Sequence, residues 1–349
     1  MFAALSAAGA AVGLLLGGVL TQALSWPWIF FVNVPIGVLA VPLALRFVPG
    51  TRGEAAEGRP DVLGAVSVTG GLALLIYTIV RTQTIGWGSA QTLVLGAIAI
   101  VLIVAFVVIE TRMRAPLVQL RIFRVRALSV GDGAIFFLAA GMYANFYFGT
   151  LYLQEILHFK PITTGLAFLP VAVLIGIASG ISQRLVPRLG IRAVAIAGVT
   201  IGAAGLALMA RASLHSTYAG TLLPSFVLLA IGLGLAFVPT TLVAVSSVGQ
   251  DDAGLASGLF NTAQQVGGAV GLAILATVAA THTSGVLKGL GAHPAASAVA
   301  SANVSGYRLA FIVAAGLMLI ADVVLIGFLR ARDVAHVSVE AGALAPGSA

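Results

Sequence analysis

The chain has 349 residues, of which 60% are hydrophobic and only 8% charged, against roughly 25% charged in a soluble domain. So little charge cannot cover a soluble surface, which excludes a soluble globular enzyme, a disordered protein and a nucleic-acid binder. The net charge of +7 is an excess of 18 Lys+Arg over 11 Asp+Glu, of the size that sets orientation in a membrane protein.

The mean hydropathy is +1.09, and apolar runs of about 20 residues recur along the whole chain, the length that crosses a bilayer as a helix. Ten spans are predicted, at 3–24, 28–47, 62–81, 89–109, 128–153, 162–183, 192–211, 220–244, 254–281 and 305–329. The runs are continuous rather than alternating, so helices and not barrel strands are expected. The fold class is therefore an all-α multi-pass membrane protein of about ten transmembrane helices.

The first run opens at Met1-Phe2 with no basic segment ahead of it and no small-residue cleavage site behind it, so it reads as a span and not a signal peptide. A chain that starts inside a span is expected to be truncated at its N-terminus. Gly9, Gly13 and Gly17, followed by Gly18, place small residues on one helical face where another helix can approach. On that spacing alone, plain helix packing is the stronger reading. Trp26 to Gly37 then form a turn into the second span.

Loops are short, the longest being about 49–61, 110–127 and 282–304. None can hold a nucleotide-binding domain, and no G-x-x-x-x-G-K-[ST] occurs, so ATP-driven transport by this chain is excluded. The linker from Glu110 to Arg126 carries five Arg and Pro116. It reads as an interfacial segment serving orientation and contact with anionic lipid.

Polar residues inside spans are costly and point to function. In span 128–153, at about 100° per residue, Asp132, Phe136, Tyr143, Tyr147, Thr150 and Gln154 fall on one face. Aromatics with scattered polar groups suit an apolar or cationic amphipathic substrate. Asp132 is a candidate proton or cation site, with interfacial snorkelling as the alternative; Asn145 points elsewhere and is expected to bond a neighbouring helix. Span 192–211 is nearly devoid of polar residues, as a lipid-facing outer helix should be. Pro224, Pro239, Gly232 and Gly234 are expected to bend span 220–244 as a gating element.

In span 254–281, Gly254, Ser257, Asn261, Gln264, Gln265 and Gly268 share a face, read either as cavity wall or as polar helix–helix glue. Asp322 stands alone in an apolar last span, where a structural pairing is expected. The Ala/Gly-rich segment from Arg330 is expected to be a disordered tail. With Met1 inside, the inner segments hold thirteen basic residues and the outer ones five, so loops 49–61 and 110–127 and the C-terminus are placed in the cytoplasm. There is no Cys, and the five His lack ligand spacing, so no metal or cofactor is expected.

The order of motifs along the chain carries a resemblance. The glycine run at Gly9, Gly13, Gly17 and Gly18 is followed by W-x-W-I-F-x-x-N-x-P-x-G at 26–37. Then come Asp61-Val62-Leu63-Gly64, Gly86-Trp87-Gly88, and Glu110 through Pro116-Leu117 to Ile122-Phe123-Arg124. Tyr152-Leu153-Gln154, Gly165 to Pro170 and Gly254 to Gly271 complete the order. Together these resemble the 14-helix drug–proton antiporter branch of the major facilitator superfamily, beginning at its fifth helix.

That resemblance implies two last helices of the N-terminal lobe (1–48), two inserted helices (49–109) and a cytoplasmic linker (110–127). A six-helix C-terminal lobe (128–329) and a cytoplasmic tail (330–349) would follow. The glycine run would be the antiporter motif. Leu14 stands where the family has Pro after the motif glycine, which puts the motif's helix bend in doubt, and Pro27 where it has Arg. Gln183 to Arg192 resembles a degenerate copy of the superfamily's R-x-G-x-R loop, in which Arg184, Arg188 and Arg192 form a gate loop; positive-inside topology explains them equally.

The function implied is proton-coupled efflux of hydrophobic or cationic drug-like compounds across the plasma membrane by alternating access. Asp132 would be its proton or cation site, with Phe136, Tyr143, Tyr147, Gln154, Asn261, Gln264 and Gln265 in the substrate cavity. Its partners would be the lipid bilayer, a small-molecule substrate, protons and missing N-terminal helices, with no nucleic acid. The alternatives are a non-transporting membrane subunit or scaffold, and a non-functional fragment.

Overall fold

The computed structural model describes residues 2–47, 61–113, 116–249, 252–290 and 295–330. Helix α1 spans Phe2–Ala23, α2 Trp28–Phe31 and α3 Asn33–Phe47; α4 spans Val62–Ile85 and α5 Ala90–Arg112. The larger group comprises α6 (Arg126–Leu151), α7 (Pro161–Leu189), α8 (Ile191–Met209), α9 (Leu223–Val245), α10 (Ala253–Lys288) and α11 (Ala296–Phe328). Nine stretches among the described residues are long and apolar enough to cross a membrane, with α2 and α3 counted as one. α1 is a further helix of 22 residues.

The helix ends follow local chemistry. Asp61 caps α4 by accepting from the Gly64 amide at 2.7 Å, and Ser89 caps α5 by accepting from Thr92 at 3.1 Å, each satisfying an amide the first turn leaves free. Pro161 sits in the first turn of α7, where a missing amide costs nothing. Gly190, at φ 84°, is the one residue between α7 and α8, a backbone conformation that favours glycine.

Three expected boundaries are corrected. α7 continues to Leu189, so residues 183–189 are helix and not loop. α10 reaches Lys288 and α11 starts at Ala296, which shortens the loop expected over 282–304. Loop 49–60 and the tail beyond Arg330 lie outside the described residues, as do Arg114 and Ala115 of the linker. α1 runs unbroken through Leu14.

The core lies among α6, α7, α8, α9, α10 and α11, around Phe148, Phe168, Phe226, Phe311 and Met318. Phe168 stacks on Phe226 with centroids 5.0 Å apart. Small residues allow the closest approaches. A Cβ on Gly198 would stand 2.5 Å from the Ala236 amide nitrogen, and one on Gly205 would stand 2.6 Å from that of Leu229. Gly232 meets the Gly202 backbone and Gly234 the Ile175 carbonyl. The expected bend glycines of α9 are therefore seams to α8 and α7, as small residues are between membrane helices. Pro224 falls in the first turn of α9 and Pro239 inside it, and α9 is continuous from Leu223 to Val245.

α8 buries one face, from Ile191 to Met209, and leaves the other open. α4 and α5 form a hairpin that touches α10 where Thr277 donates to the Ile79 carbonyl at 3.3 Å. α2 and α3 bury no residue.

Candidate functional site

α6 is the central helix of the larger group. Its seam with α10 is set by glycine: a Cβ on Gly267 would stand 2.6 Å from Phe136 Cα, and one on Gly271 would stand 2.9 Å from Ala140 Cα. Gly268 faces the Tyr143 ring, whose hydroxyl donates to Gln265 Oε1 at 2.5 Å. Phe136 thus meets α10 through its main chain, and its half-buried side chain is not among those lining the groove that opens past Tyr143.

Past Tyr143 the two helices part. A groove of about 550 Å³ opens there, lined by Met142, Tyr143, Phe146, Tyr147, Thr150, Leu151 and Leu272. Its volume lies within the range of small-molecule sites, and its walls are mostly aromatic or apolar. Tyr147 is 43% exposed, while Thr150 directs its hydroxyl to the Phe146 carbonyl at 2.6 Å. An aromatic, weakly polar groove binds by area burial and by attraction of cations to ring faces.

Asp132 shares the helix face of Phe136 and Tyr143 but lies eleven residues before Tyr143, about 16 Å along the axis. It is only 8% exposed, and its Oδ1 finds no hydrogen-bond partner. Interfacial snorkelling is thereby corrected, since the carboxylate is buried among helices. Asn145 is also buried, and its Nδ2 has no partner, so the expected bond to a neighbouring helix is not made. Asp322 does pair across helices, accepting from Thr200 Oγ1 at 2.8 Å.

The remaining candidates scatter. Asn261 is exposed and donates to the Ser257 carbonyl of its own helix at 3.0 Å; Gln264 is half-buried. Gln154 sits in a π turn, Tyr152–Ile156, outside the groove lining. Sequence reasoning missed Met142, Phe146, Leu151 and Leu272. A signal existed: residues 142, 146 and 150 and residues 143, 147 and 151 form two adjacent rows at spacing four, which together make one wall.

Gly9, Gly13 and Gly17 meet nothing within 4 Å among the described residues, whereas a Cβ on Gly18 would stand 2.9 Å from the Pro161 carbonyl of α7. Gln22 Oε1 accepts from the Ile162 amide at 3.3 Å beside it. One glycine of the four makes the close approach.

The expected gate loop is two helix ends. Arg184 and Arg188 project from the last turns of α7, exposed, without a hydrogen bond or ion pair among the described residues. Arg192 lies in the first turn of α8 and donates to the Ile326 carbonyl at 2.6 Å. Arg126 likewise donates to the Phe328 carbonyl at 2.7 Å. Two guanidinium groups thus sit on the C-terminal carbonyls of α11, where a helix dipole favours cations. In the linker, Ile122 is buried against Leu128 and Ala256. Arg121 beside it makes the one ion pair among the described residues, to Asp252 at 3.5 Å.

Comparison with known proteins agrees with this architecture. A puromycin resistance protein of Streptomyces alboniger is 35% identical over 326 residues, 93% of this chain and 64% of the relative. The cephamycin export protein of Amycolatopsis lactamdurans is 38% identical over 293 residues, 83% of this chain and 60% of the relative. The tetracenomycin C resistance and export protein of Streptomyces glaucescens is 33% identical over 279 residues, 80% and 52%. The chain thus spans between half and two-thirds of the length of these curated relatives. The sequence profile described as Major Facilitator Superfamily matches residues 1–272. With its apolar helices and this profile match over most of its length, the chain belongs to the Major Facilitator Superfamily, whose members are multi-pass membrane proteins.

Proposed function

We propose that this protein exports hydrophobic or cationic drug-like small molecules by proton-coupled antiport, two lobes alternating access to a site between them. The observation that carries the reading is the α6 face. A buried carboxylate with an unsatisfied oxygen, Asp132, stands on the same helix face as the aromatic groove of Tyr143 and Tyr147. A buried ionisable group in a membrane helix is costly and marks ion or proton pathways. The relatives' names, one of resistance, one of export and one of both, support the same class.

In this reading residues 1–48 close the N-terminal lobe and 49–109 are an inserted hairpin. Residues 110–127 link to the six-helix lobe at 128–329, and 330–349 form a cytoplasmic tail. The protein lies in the plasma membrane with its arginine-rich helix ends inside. The open faces of Gly9, Gly13 and Gly17 support one further element: additional helices, from a longer chain or a partner, seat against them.

The test is Asp132→Asn at matched expression, in cells loaded with a cationic dye and, separately, a neutral one. Efflux of the cation driven by an imposed proton gradient should fall by tenfold or more, and efflux of the neutral dye by less. Unchanged efflux of both by the variant refutes the role of Asp132. Proton-driven efflux by residues 1–349 alone in liposomes refutes the need for further helices.

A further inference from the structure

A second concave site lies at the end of the bundle opposite the arginine-rich one, outside the α6–α10 groove. It encloses about 490 Å³ and is lined by Glu155, Ile156, His158, Leu214, Asn303 and neighbouring small residues of α11. We propose that this pocket binds a monovalent organic cation with an apolar body.

The carboxylate supplies the argument. Residues Tyr152–Ile156 form a π turn that closes α6, and such turns insert one extra residue and re-aim the side chains that follow. Tyr152 anchors the turn, fully buried with its hydroxyl on the Ser213 carbonyl. Directly after it the chain ends the helix at His158, φ 55°, a conformation uncommon for a residue with a side chain. Glu155 thereby faces α11, where the hydroxyl of buried Tyr307 donates to its Oε2 at 2.5 Å. Tyr307 fixes the carboxylate without neutralising it.

Glu155 belongs to no ion pair among the described residues. Arg308, next to Tyr307, directs its Nε to the Ala210 carbonyl at 2.8 Å. The pocket therefore presents one carboxylate, held by Tyr307 and in no ion pair among the described residues, beside Ile156, Leu214, Val299 and Ala300, with His158, Ser297 and Asn303 as further polar groups. A concave apolar wall around a lone anion is complementary to an amphipathic cation, and the volume is that of a small-molecule site. An anion would be repelled, and a neutral apolar compound would desolvate the carboxylate with no positive charge to offset it.

The proposal does not rest on transport, so binding tests it directly. Tetraphenylphosphonium is titrated calorimetrically into the detergent-purified 349-residue chain, with triphenylphosphine oxide as its neutral counterpart. The cation should bind and the neutral compound should bind several-fold more weakly. Because Glu155 is partly exposed, Glu155→Gln should weaken the cation by about 3- to 10-fold. Ala300→Phe, which fills the pocket, should abolish the Glu155-dependent binding. Tyr307→Phe should weaken the cation less than Glu155→Gln, since it frees the carboxylate without removing its charge. Absence of cation binding to the unaltered chain overturns the proposal. So does an affinity unchanged from the unaltered chain in both Glu155→Gln and Ala300→Phe. Loss of binding in Asp132→Asn with none in Glu155→Gln places the cation elsewhere, which overturns this pocket and leaves the efflux reading standing.

Discussion

The seam between α6 and α10 can be opened by one methyl group. A Cβ at Gly267 would stand 2.6 and 2.7 Å from backbone atoms of Phe136. The Phe136 carbonyl oxygen would be nearer still, and ordinary contact begins near 3.4 Å, so the two helices must part by more than about 0.8 Å there. Gly→Ala also gains helix propensity, about 1 kcal/mol. That term cancels against a control at Gly258 on the same helix, which has nothing within 4 Å. The difference between Gly267→Ala and Gly258→Ala then isolates overpacking, about 1–3 kcal/mol, or about 2–10 °C in the midpoint of thermal inactivation in detergent. A third variant separates backbone from side-chain contact. Gly268→Ala meets only the Tyr143 ring, at 2.8–2.9 Å, so adding Tyr143→Ala should relieve it. Adding Phe136→Ala should not relieve Gly267→Ala, because the atoms in the way are main chain. Equal midpoints for Gly267→Ala and Gly258→Ala would refute the seam, as would rescue of Gly267→Ala by Phe136→Ala.

Two further outcomes follow from charge and pairing. With no Cys in the chain, single cysteines report topology: positions in 52–59, 112–124 and 186–190 should resist an impermeant reagent in intact cells and positions in 286–300 should react, and labelling of 112–124 from outside would reverse the orientation. Thr200→Val removes the one hydrogen bond that Asp322 accepts among the described residues, leaving both carboxylate oxygens unpaired there at a cost of about 1–3 kcal/mol. Thr200→Val with Asp322→Leu should recover most of that loss, since an apolar pair replaces a half-satisfied polar one, and a double variant melting no higher than the single one would refute the pairing.

The helices were legible in the chain because each span answers to a local requirement. About 20 apolar residues satisfy their own backbone and cross the bilayer whatever surrounds them. That is why the spans at 62–81, 89–109 and 220–244 recur nearly as read. The candidate face of α6 was legible for a similar reason, being a matter of angle along one helix. The ends of α7, α10 and α11 were not. Arg184, Arg188 and Lys288 are polar but remain helical, because a helix can continue past its apolar run.

What the face does was decided by its neighbour. Glycine spacing marks where a helix may approach, but not which one or how near. Gly267 brings α10 onto the Phe136 main chain, while Gly9, Gly13 and Gly17 meet nothing within 4 Å among the described residues. Tyr143 and Tyr147 line a groove with Leu272, past the contact of Gly271 with Ala140. Glu155 and Tyr307, 152 residues apart, meet through a π turn that no periodicity announces. Composition and period determine which segments cross the membrane and which side chains share a face. Contact between faces depends on packing at single glycines and turns, which only the assembled helices settle.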